Sequence, residues 1–419
     1  MNEAERLVQD ALNRAHRHEW ASVMASTARV ARDLDVAEDC VQEAYADALR
    51  SWPADGVPDR PGAWLTTVAV RKALQHHRRG ATLARKLPLL VPDEYDDPAA
   101  GVTGNPLDEL PDDRLRLIFI CCHPELAPEA RVALTLRLVC GLSSTEVAHT
   151  FLVKEATMQA RITRAKKRIA DAGLPYETPA PADLPERLES VLDTIHLVYT
   201  AGHSAPVGES LFRSDLSERA LLLARTLCDL LPREGEAAAL YAALRLTDAR
   251  RRARLTPQGD VVPLSEQNRD LWDRRAVRAG IDALRTAIDL GADGRYLYLA
   301  CLASCHSLAE TWQDTPWDRI VALYDVVMAR WPSPVVALNR AVAVGYGSGA
   351  DQGLAELDAI RGLESLATYP YLYAARAELL GRLGRTQEAI DAYEEAILLS
   401  TNSPEARFLT QQLERVRDA

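Results

Sequence analysis

The sequence predicts an all-α protein: two small helical modules, the second a helix-turn-helix, followed by a long helical extension built partly from repeats. Three observations carry that expectation. Apolar residues recur at three- and four-residue spacing through most of the chain. Proline- and glycine-bearing stretches at 53–62, 87–111 and 173–186 interrupt these periodic segments. Near the C-terminus the chain resembles itself at a spacing of 34 to 36 residues.

The length of 419 residues suits two or three domains, each able to bury a core. A net charge of -11 argues at first against a nucleic-acid partner, but the charge is unevenly distributed. Residues 1–172 carry 23 Lys and Arg against 25 Asp and Glu, a net of -2, which leaves a net of -9 for residues 173–419. All five lysines, Lys72, Lys86, Lys154, Lys166 and Lys167, belong to the first part. With no basic-then-apolar leader and no long apolar run, the chain reads as soluble and cytoplasmic, with no membrane partner. Seven cysteines without framework spacing read as reduced thiols. The Cys121-Cys122-His123 and Cys301/Cys305/His306 groups lack a second pair at zinc spacing, so they are expected to be buried small side chains, with no metal and no cofactor.

Residues 1–86 form the first module. A helical pattern over 3–32 presents Leu7, Ala11, Ala15, Trp20, Val23 and Met24 on apolar faces. In the next segment, 33–52, Ala37, Val41, Ala44, Tyr45, Ala48 and Trp52 form the apolar side, and Glu38, Asp39, Gln42, Glu43 and Asp47 a largely acidic one. A further helix from Ala63 to about Arg79 carries Trp64, Leu65, Val68 and Leu74 and ends in cations. Trp64, at apolar spacing, reads as core. Residues 87–111 hold five prolines, two glycines, six acids and no Lys or Arg, the composition of an extended linker.

Residues 112–172 form the second module. Two helical patterns, 114–122 and 128–139, supply Leu117, Ile118, Leu134, Leu136 and Leu138 to a core. Ser143 and Glu146 have capping-box spacing, so a helix should run from there to about Phe151. After a connection at 152–155, Met158, Ile162, Ala165 and Ile169 mark the buried face of a second helix. Lys154, Thr157, Arg161, Arg164 and Arg168 repeat beside that face, with Lys166 and Lys167 alongside. A helix packed on one side and cationic on the other suits the DNA major groove, although a basic amphipathic helix is commonly just a solvated face.

The segments AEDCVQEAYADAL, PGAWLTTVAVRKALQHHRR and RITRAKKRI, in this order, resemble regions 2 and 4 of extracytoplasmic-function sigma factors. That resemblance implies an RNA polymerase core partner for Asp39, Gln42 and Glu43, which stand at the family's D-x-x-Q-E positions. It implies that the 53–62 loop and the Trp64–Arg79 helix open and hold the -10 promoter element, with Arg71, Lys72, Gln75, His76, Arg78 and Arg79 as candidates. Melted bases need a stacking surface and their backbone needs cations. Many relatives have Asn where this chain has Lys72, a departure at a base-contacting position. The resemblance further implies that the 87–111 linker threads the polymerase and that region 4 docks the -35 element as duplex. Thr157, Arg161 and Arg164 would then lie near bases and Lys154, Lys167 and Arg168 near phosphates.

After a boundary at 173–186, residues 187–294 read as a helical adaptor and 295–419 as repeats. Helical patterns fall at 186–200, 214–231, 234–250, 273–290, 295–309, 316–331, 334–346, 351–361, 370–383, 386–399 and 404–417, with 255–270 irregular. Pairing Pro334 with Pro370 superposes Arg340 on Arg376, Ala341 on Ala377, Gly345 on Gly381 and Leu357 on Tyr393. The period and paired helices resemble tetratricopeptide repeats, whose concave face takes a protein or peptide partner, the alternative being that it packs on the chain's own first two modules. Sigma regions with such a tail are similar to a recognised group of extracytoplasmic-function sigma factors. Because the extension holds over half of the residues and much of the negative charge, it is expected to regulate or assist the sigma core in cis. A one-component helix-turn-helix regulator with a ligand-binding repeat domain is the alternative, and a scaffold without DNA binding a third reading. An enzyme is not expected, because His196, His203 and His306 have no companion nucleophile or phosphate loop.

Overall fold

The computed structural model describes residues 3–86, 113–151, 153–174, 176–177, 179–180, 182–203 and 212–418. The 87–111 linker lies outside the described residues. Helices dominate, and among the described residues the one strand-like feature is an isolated antiparallel bridge between Leu255 and Val261. The chain forms two compact units that meet between Thr194 and Ile195.

The first unit begins with α1 (Glu3–Ala31), α2 (Leu34–Asp55) and α3 (Pro61–Lys86), packed pairwise. Asp33 caps α2 by accepting from the backbone N–H groups of Asp35 and Val36, satisfying donors that a helix start leaves orphaned. Val23, Met24, Ala37, Val41, Ala44, Trp52 and Leu65 bury the faces that the sequence periodicity marks. Leu7 and Leu74, read from spacing as apolar-face residues, are instead exposed.

Four further helices follow: α4 (Asp113–Cys121), α5 (Pro128–Leu134), α6 (Ser144–Phe151) and α7 (Glu155–Asp171). A π-helical turn, Thr135–Val139, prolongs α5. Leu117, Ile118, Leu134, Leu136 and Leu138 are fully buried, as their pattern predicts. The predicted capping box is present: Glu146 N donates to Ser143 Oγ at 3.1 Å and Ser143 N to Glu146 Oε2 at 2.7 Å.

The α1–α3 bundle and the α4–α7 bundle pack on each other within this unit. Trp20 Nε1 donates to Leu138 O at 2.9 Å, and the His16 Nε2 to Gly141 O bond is also 2.9 Å. Gly141 has φ 73°, and a Cβ there would meet the Trp20 ring at 2.9 Å, so the turn entering α6 requires glycine twice over. Arg29 pairs with Asp113 at 3.0 Å, and Tyr176 Oη donates to Ala25 O at 3.1 Å.

The unit extends beyond the 173–186 boundary read from composition, into α8 (Leu184–His203). Arg187 Nη2 donates to Phe119 O at 2.9 Å, and Ser190 Oγ donates to Cys122 O. These side chains satisfy carbonyls at the C-terminal end of α4 that have no intrahelical partner, which ties 187–194 to the first unit.

The second unit contains the rest of α8, then α9 (Ser214–Leu230), α10 (Gly235–Asp248), α11 (Arg274–Asp289), α12 (Arg295–Leu308) and α13 (Trp317–Arg330). It continues with α14 (Pro334–Gly347), α15 (Ala350–Ile360), α16 (Pro370–Arg382), α17 (Thr386–Leu399) and α18 (Ser403–Arg417). All these helices fall within a few residues of the positions their periodicity predicts. Consecutive helices pack as hairpins, with α13 on α14, α14 on α15, α16 on α17 and α17 on α18. The repeat-equivalent arginines make equivalent bonds, Arg340 to Asp325 on α13 at 2.7 Å and Arg376 to Asp358 on α15 at 2.9 Å.

Candidate nucleic-acid interface

Lys154 is the N-cap of α7, with its backbone extended (φ -63°, ψ 143°) before the helix turns at Glu155. Met158, Ile162, Ala165 and Ile169 are buried, which fixes the rotation of α7 about its axis. Lys154, Thr157, Arg164, Lys167 and Arg168 are consequently exposed on the other side, and Arg161 is half-buried. The Arg161 guanidinium lies 5.4 Å from the centroid of the Phe151 ring, held by the facing helix of the pair. Arg164 Nε donates to Ala160 O at 3.1 Å. Arg168 pairs with Glu125 at 2.9 Å, but both side chains are largely solvated, so this pair holds the cation only weakly.

Lys166 departs from the sequence reading that placed it alongside the cationic row. It is buried at 7% exposure, and its Nζ donates to Glu38 at 2.6 Å and to Asp35 at 2.7 Å. Arg137 also pairs with Glu38. Burial disfavours the charged ammonium, but the Glu38 charge and the bonds to Asp35 and Glu38 outweigh that and raise the Lys166 pKa. Glu38 therefore does not belong to the solvated acidic face of α2 either. It is buried at 7% exposure and joins α2 to α7. Its signal in sequence is its phase: position 38 lies four residues after Leu34 and three before Val41, on the apolar stripe.

Asp39, Gln42 and Glu43 are exposed together on α2. Gln42 Nε2 donates to Glu38 Oε1 at 3.2 Å. The candidate -10 residues divide. Arg71, Gln75, His76 and Arg78 are exposed on α3, whereas Lys72 pairs with Glu43 and with Asp47, each at 2.9 Å. The bond to Glu43, followed by that to Asp47, raises the Lys72 pKa. One lysine thus links the candidate polymerase face to the candidate DNA face. The Arg79 side chain lies outside the described residues. Trp64 packs edge-on against Trp52 with ring centroids 5.3 Å apart, which fits its reading as a packing residue.

Burial raises the Cys121 and Cys122 thiol pKa values, and Cys122 Sγ lies 3.4 Å from Thr135 Oγ1. Among the described residues no group of three or more His, Cys, Asp or Glu side chains could hold a metal ion. No helix among them is long and apolar enough to cross a membrane.

Residues 21–82 match the family model described as Sigma-70 region 2, and residues 116–169 match Sigma-70, region 4. The chain is a sigma factor of the extracytoplasmic-function-like type with a C-terminal extension. Residues 187–288 of the extension match a family of unknown function, DUF6596. The sigma factor is 39% identical over 395 residues to an uncharacterised protein of Rhizobium meliloti (strain 1021), an alignment covering 94% of this chain and 93% of that one, and it belongs to the same family. It is 31% identical over 160 residues to the probable ECF RNA polymerase sigma factor SigI of Mycobacterium tuberculosis, which spans 38% of this chain and 53% of that protein. No solved structure matches significantly.

Proposed function

We propose that this sigma factor binds RNA polymerase core through Asp39, Gln42 and Glu43 and directs promoter-specific initiation. Region 2 opens and holds the -10 element with Arg71, Lys72, Gln75, His76, Arg78 and Arg79. Region 4 reads the -35 duplex with Thr157, Arg161 and Arg164, and Lys154, Lys167 and Arg168 grip phosphate. The observation that carries this reading is the rotation of α7. Its apolar stripe is buried, and its base- and phosphate-contacting candidates lie off that stripe, all exposed except the half-buried Arg161.

The two grips cannot act from the packed arrangement. Elements at -10 and -35 lie about 25 base pairs apart, roughly 85 Å of duplex at 3.4 Å per pair. A compact unit of 194 residues has an expected radius of gyration of about 16 Å, so it is about 40 Å across. Promoter binding therefore requires region 4 to leave region 2, breaking the Lys166 bonds to Glu38 and Asp35. Polymerase, by holding region 2 on its α2 face, shifts that equilibrium. Freeing Lys72 from Glu43 would be part of the same step.

The extension acts on this core in cis. Its hairpins from Trp317 to Arg417 and the equivalent Arg340 and Arg376 bonds support a tetratricopeptide-like reading, with a protein or peptide segment as partner. In vitro transcription with core polymerase, read by sequencing the start sites, tests the main proposal. No start sites dependent on the added chain would refute it. Comparing the full chain with one ending at Thr194, which retains the Arg187 and Ser190 bonds, tests the cis effect; equal transcription at equal stability would refute that part.

A further inference from the structure

The second unit has a half-open cavity of about 290 Å³ between α8, α10, α12 and α13. That lies near the lower end of the volumes of small-molecule pockets. Its wall includes Arg250, Tyr199, His203, His306, Tyr324 and apolar residues of α10 and α12, and no Asp or Glu among the described residues.

Arg250 stands apart from its neighbours. Arg251 pairs with Asp248 and Glu218, Arg254 donates to His203, and Arg269 donates to the carbonyls of His306 and Ala309. No hydrogen bond or ion pair among the described residues engages the Arg250 guanidinium, which faces the cavity. Burial lowers its pKa, and the titrating groups around it are Tyr199, Arg269 and Tyr324 rather than any carboxylate. Arg250 is half-buried, so its guanidinium is partly withdrawn from water with no carboxylate beside it among the described residues, a position that favours an anionic ligand.

A second donor points the same way. Arg254 Nη1 approaches His203 Nε2 at 2.9 Å and donates to His203 O at 2.7 Å. Arginine has only donors, so His203 Nε2 must be the acceptor and Nδ1 must carry the ring proton. His203 Nδ1 then donates to Tyr199 Oη at 3.1 Å, which leaves the Tyr199 hydroxyl proton without an acceptor among the described residues. His203 and His306, pushed down to about 2 and about 4 by burial and nearby arginines, are neutral and add no positive charge of their own.

We propose that this cavity binds a small organic oxyanion, a carboxylate or a phosphate monoester, with its charged group on Arg250 and Tyr199 and its carbon body against Leu299, Leu302 and Tyr324. Arginine's planar fork matches either oxyanion in a bidentate way. The site lies in the extension, and its occupancy is measurable without polymerase or DNA.

Full-length protein titrated with benzoate and with phenyl phosphate, followed by calorimetry and by thermal melting, tests this. Benzamidine serves as a cation of similar size. At least one anion should bind and raise the melting temperature, the stronger one identifying the natural group, and benzamidine should do neither. Arg250→Met should weaken anion binding at least tenfold and, in anion-free buffer, melt no lower than the parent, because an unpaired cation has been removed. Tyr199→Phe should weaken binding severalfold. The proposal is overturned if neither anion binds the parent, if Arg250→Met binds both equally well, or if Arg250→Met unfolds in anion-free buffer, which would make Arg250 structural.

Discussion

Lys166→Met separates two readings of one residue. On a recognition helix, a lysine between Arg164 and Lys167 reads as a phosphate contact; in the structure it joins region 4 to region 2. At the 2.6 Å separation from Glu38, the gross attraction is about 6 kcal/mol for an effective dielectric constant near 20. Desolvation offsets most of this, and hydrogen bonds to charged groups contribute a net of about 1.5–3 kcal/mol. Asp35 adds little, because its carboxylate is 65% exposed. Arg137 stays on Glu38 after the substitution, so the remaining carboxylate keeps a counter-ion. The cost should therefore be about 2 kcal/mol rather than the ~3–5 kcal/mol of a fully orphaned buried charge. That corresponds to an increase of about 30-fold in the opening equilibrium of the first unit. Fluorescence anisotropy with a -35 duplex over a salt series should show unchanged or tighter binding and an unchanged salt slope. Denaturation of Lys166→Met, Glu38→Gln and the double variant should give a coupling of about 1.5–2 kcal/mol. Weaker duplex binding with a slope reduced by about one would mark Lys166 as a phosphate contact after all and refute the reasoning. So would a coupling near zero.

The outward residues of α7 should behave oppositely: Arg161→Ala and Arg164→Ala should each lose about 1–3 kcal/mol of discrimination at one -35 position, measured by competition with altered duplexes. Lys167→Ala should weaken all duplexes alike and lower the salt slope by about one. In the extension, Gly353→Ala should lower stability by about 1–3 kcal/mol in thermal denaturation, because its Cβ would lie 2.5 Å from Gly345 Cα, backbone that cannot swing aside. Gly362→Ala, with nothing within 4 Å of the added carbon, should stay within about 0.5 kcal/mol of the parent. His203 and His306 give a pH dependence. Their folded pKa values, about 2 and about 4, lie below the unfolded value near 6.5, so the unfolded chain takes up protons first as pH falls. Above pH ~6.5 neither affects stability, and below it each should remove on the order of 1 kcal/mol per pH unit until its folded pKa is reached. His306→Gln should flatten the slope of denaturation midpoint against pH between about 6.5 and 4, and an unchanged slope would contradict the buried neutral assignment.

The helices were legible because each presents one apolar stripe, and a 3.6-residue period is a local property. The capping box at Ser143 and Glu146 was legible for the same reason, since both partners lie within one turn. The packing of region 4 on region 2 was not, although half of its signal was present. Lys166 lies four residues after Ile162 and three before Ile169, and Glu38 has the same relation to Leu34 and Val41. A charge on an apolar stripe must be paired when that stripe is buried, so each residue alone implied an opposite partner. What sequence could not supply was the identity of that partner, 128 positions away.

Arg250 shows the converse. The run from Asp248 to Arg254 contains four arginines and, as a string, is a uniformly solvated basic cluster. Folding separates them by rotation about the end of α10: Arg251 turns to carboxylates, Arg254 to a histidine that it fixes in one tautomer, and Arg250 to a cavity with no counter-charge among the described residues that line it. Residue type and spacing are nearly identical among the three, so no local pattern distinguishes the structural cations from the one that needs a ligand. Only the inventory of partners does, and that inventory comes from α8, α9, α12 and α13, elements that reach this point from both sides in sequence.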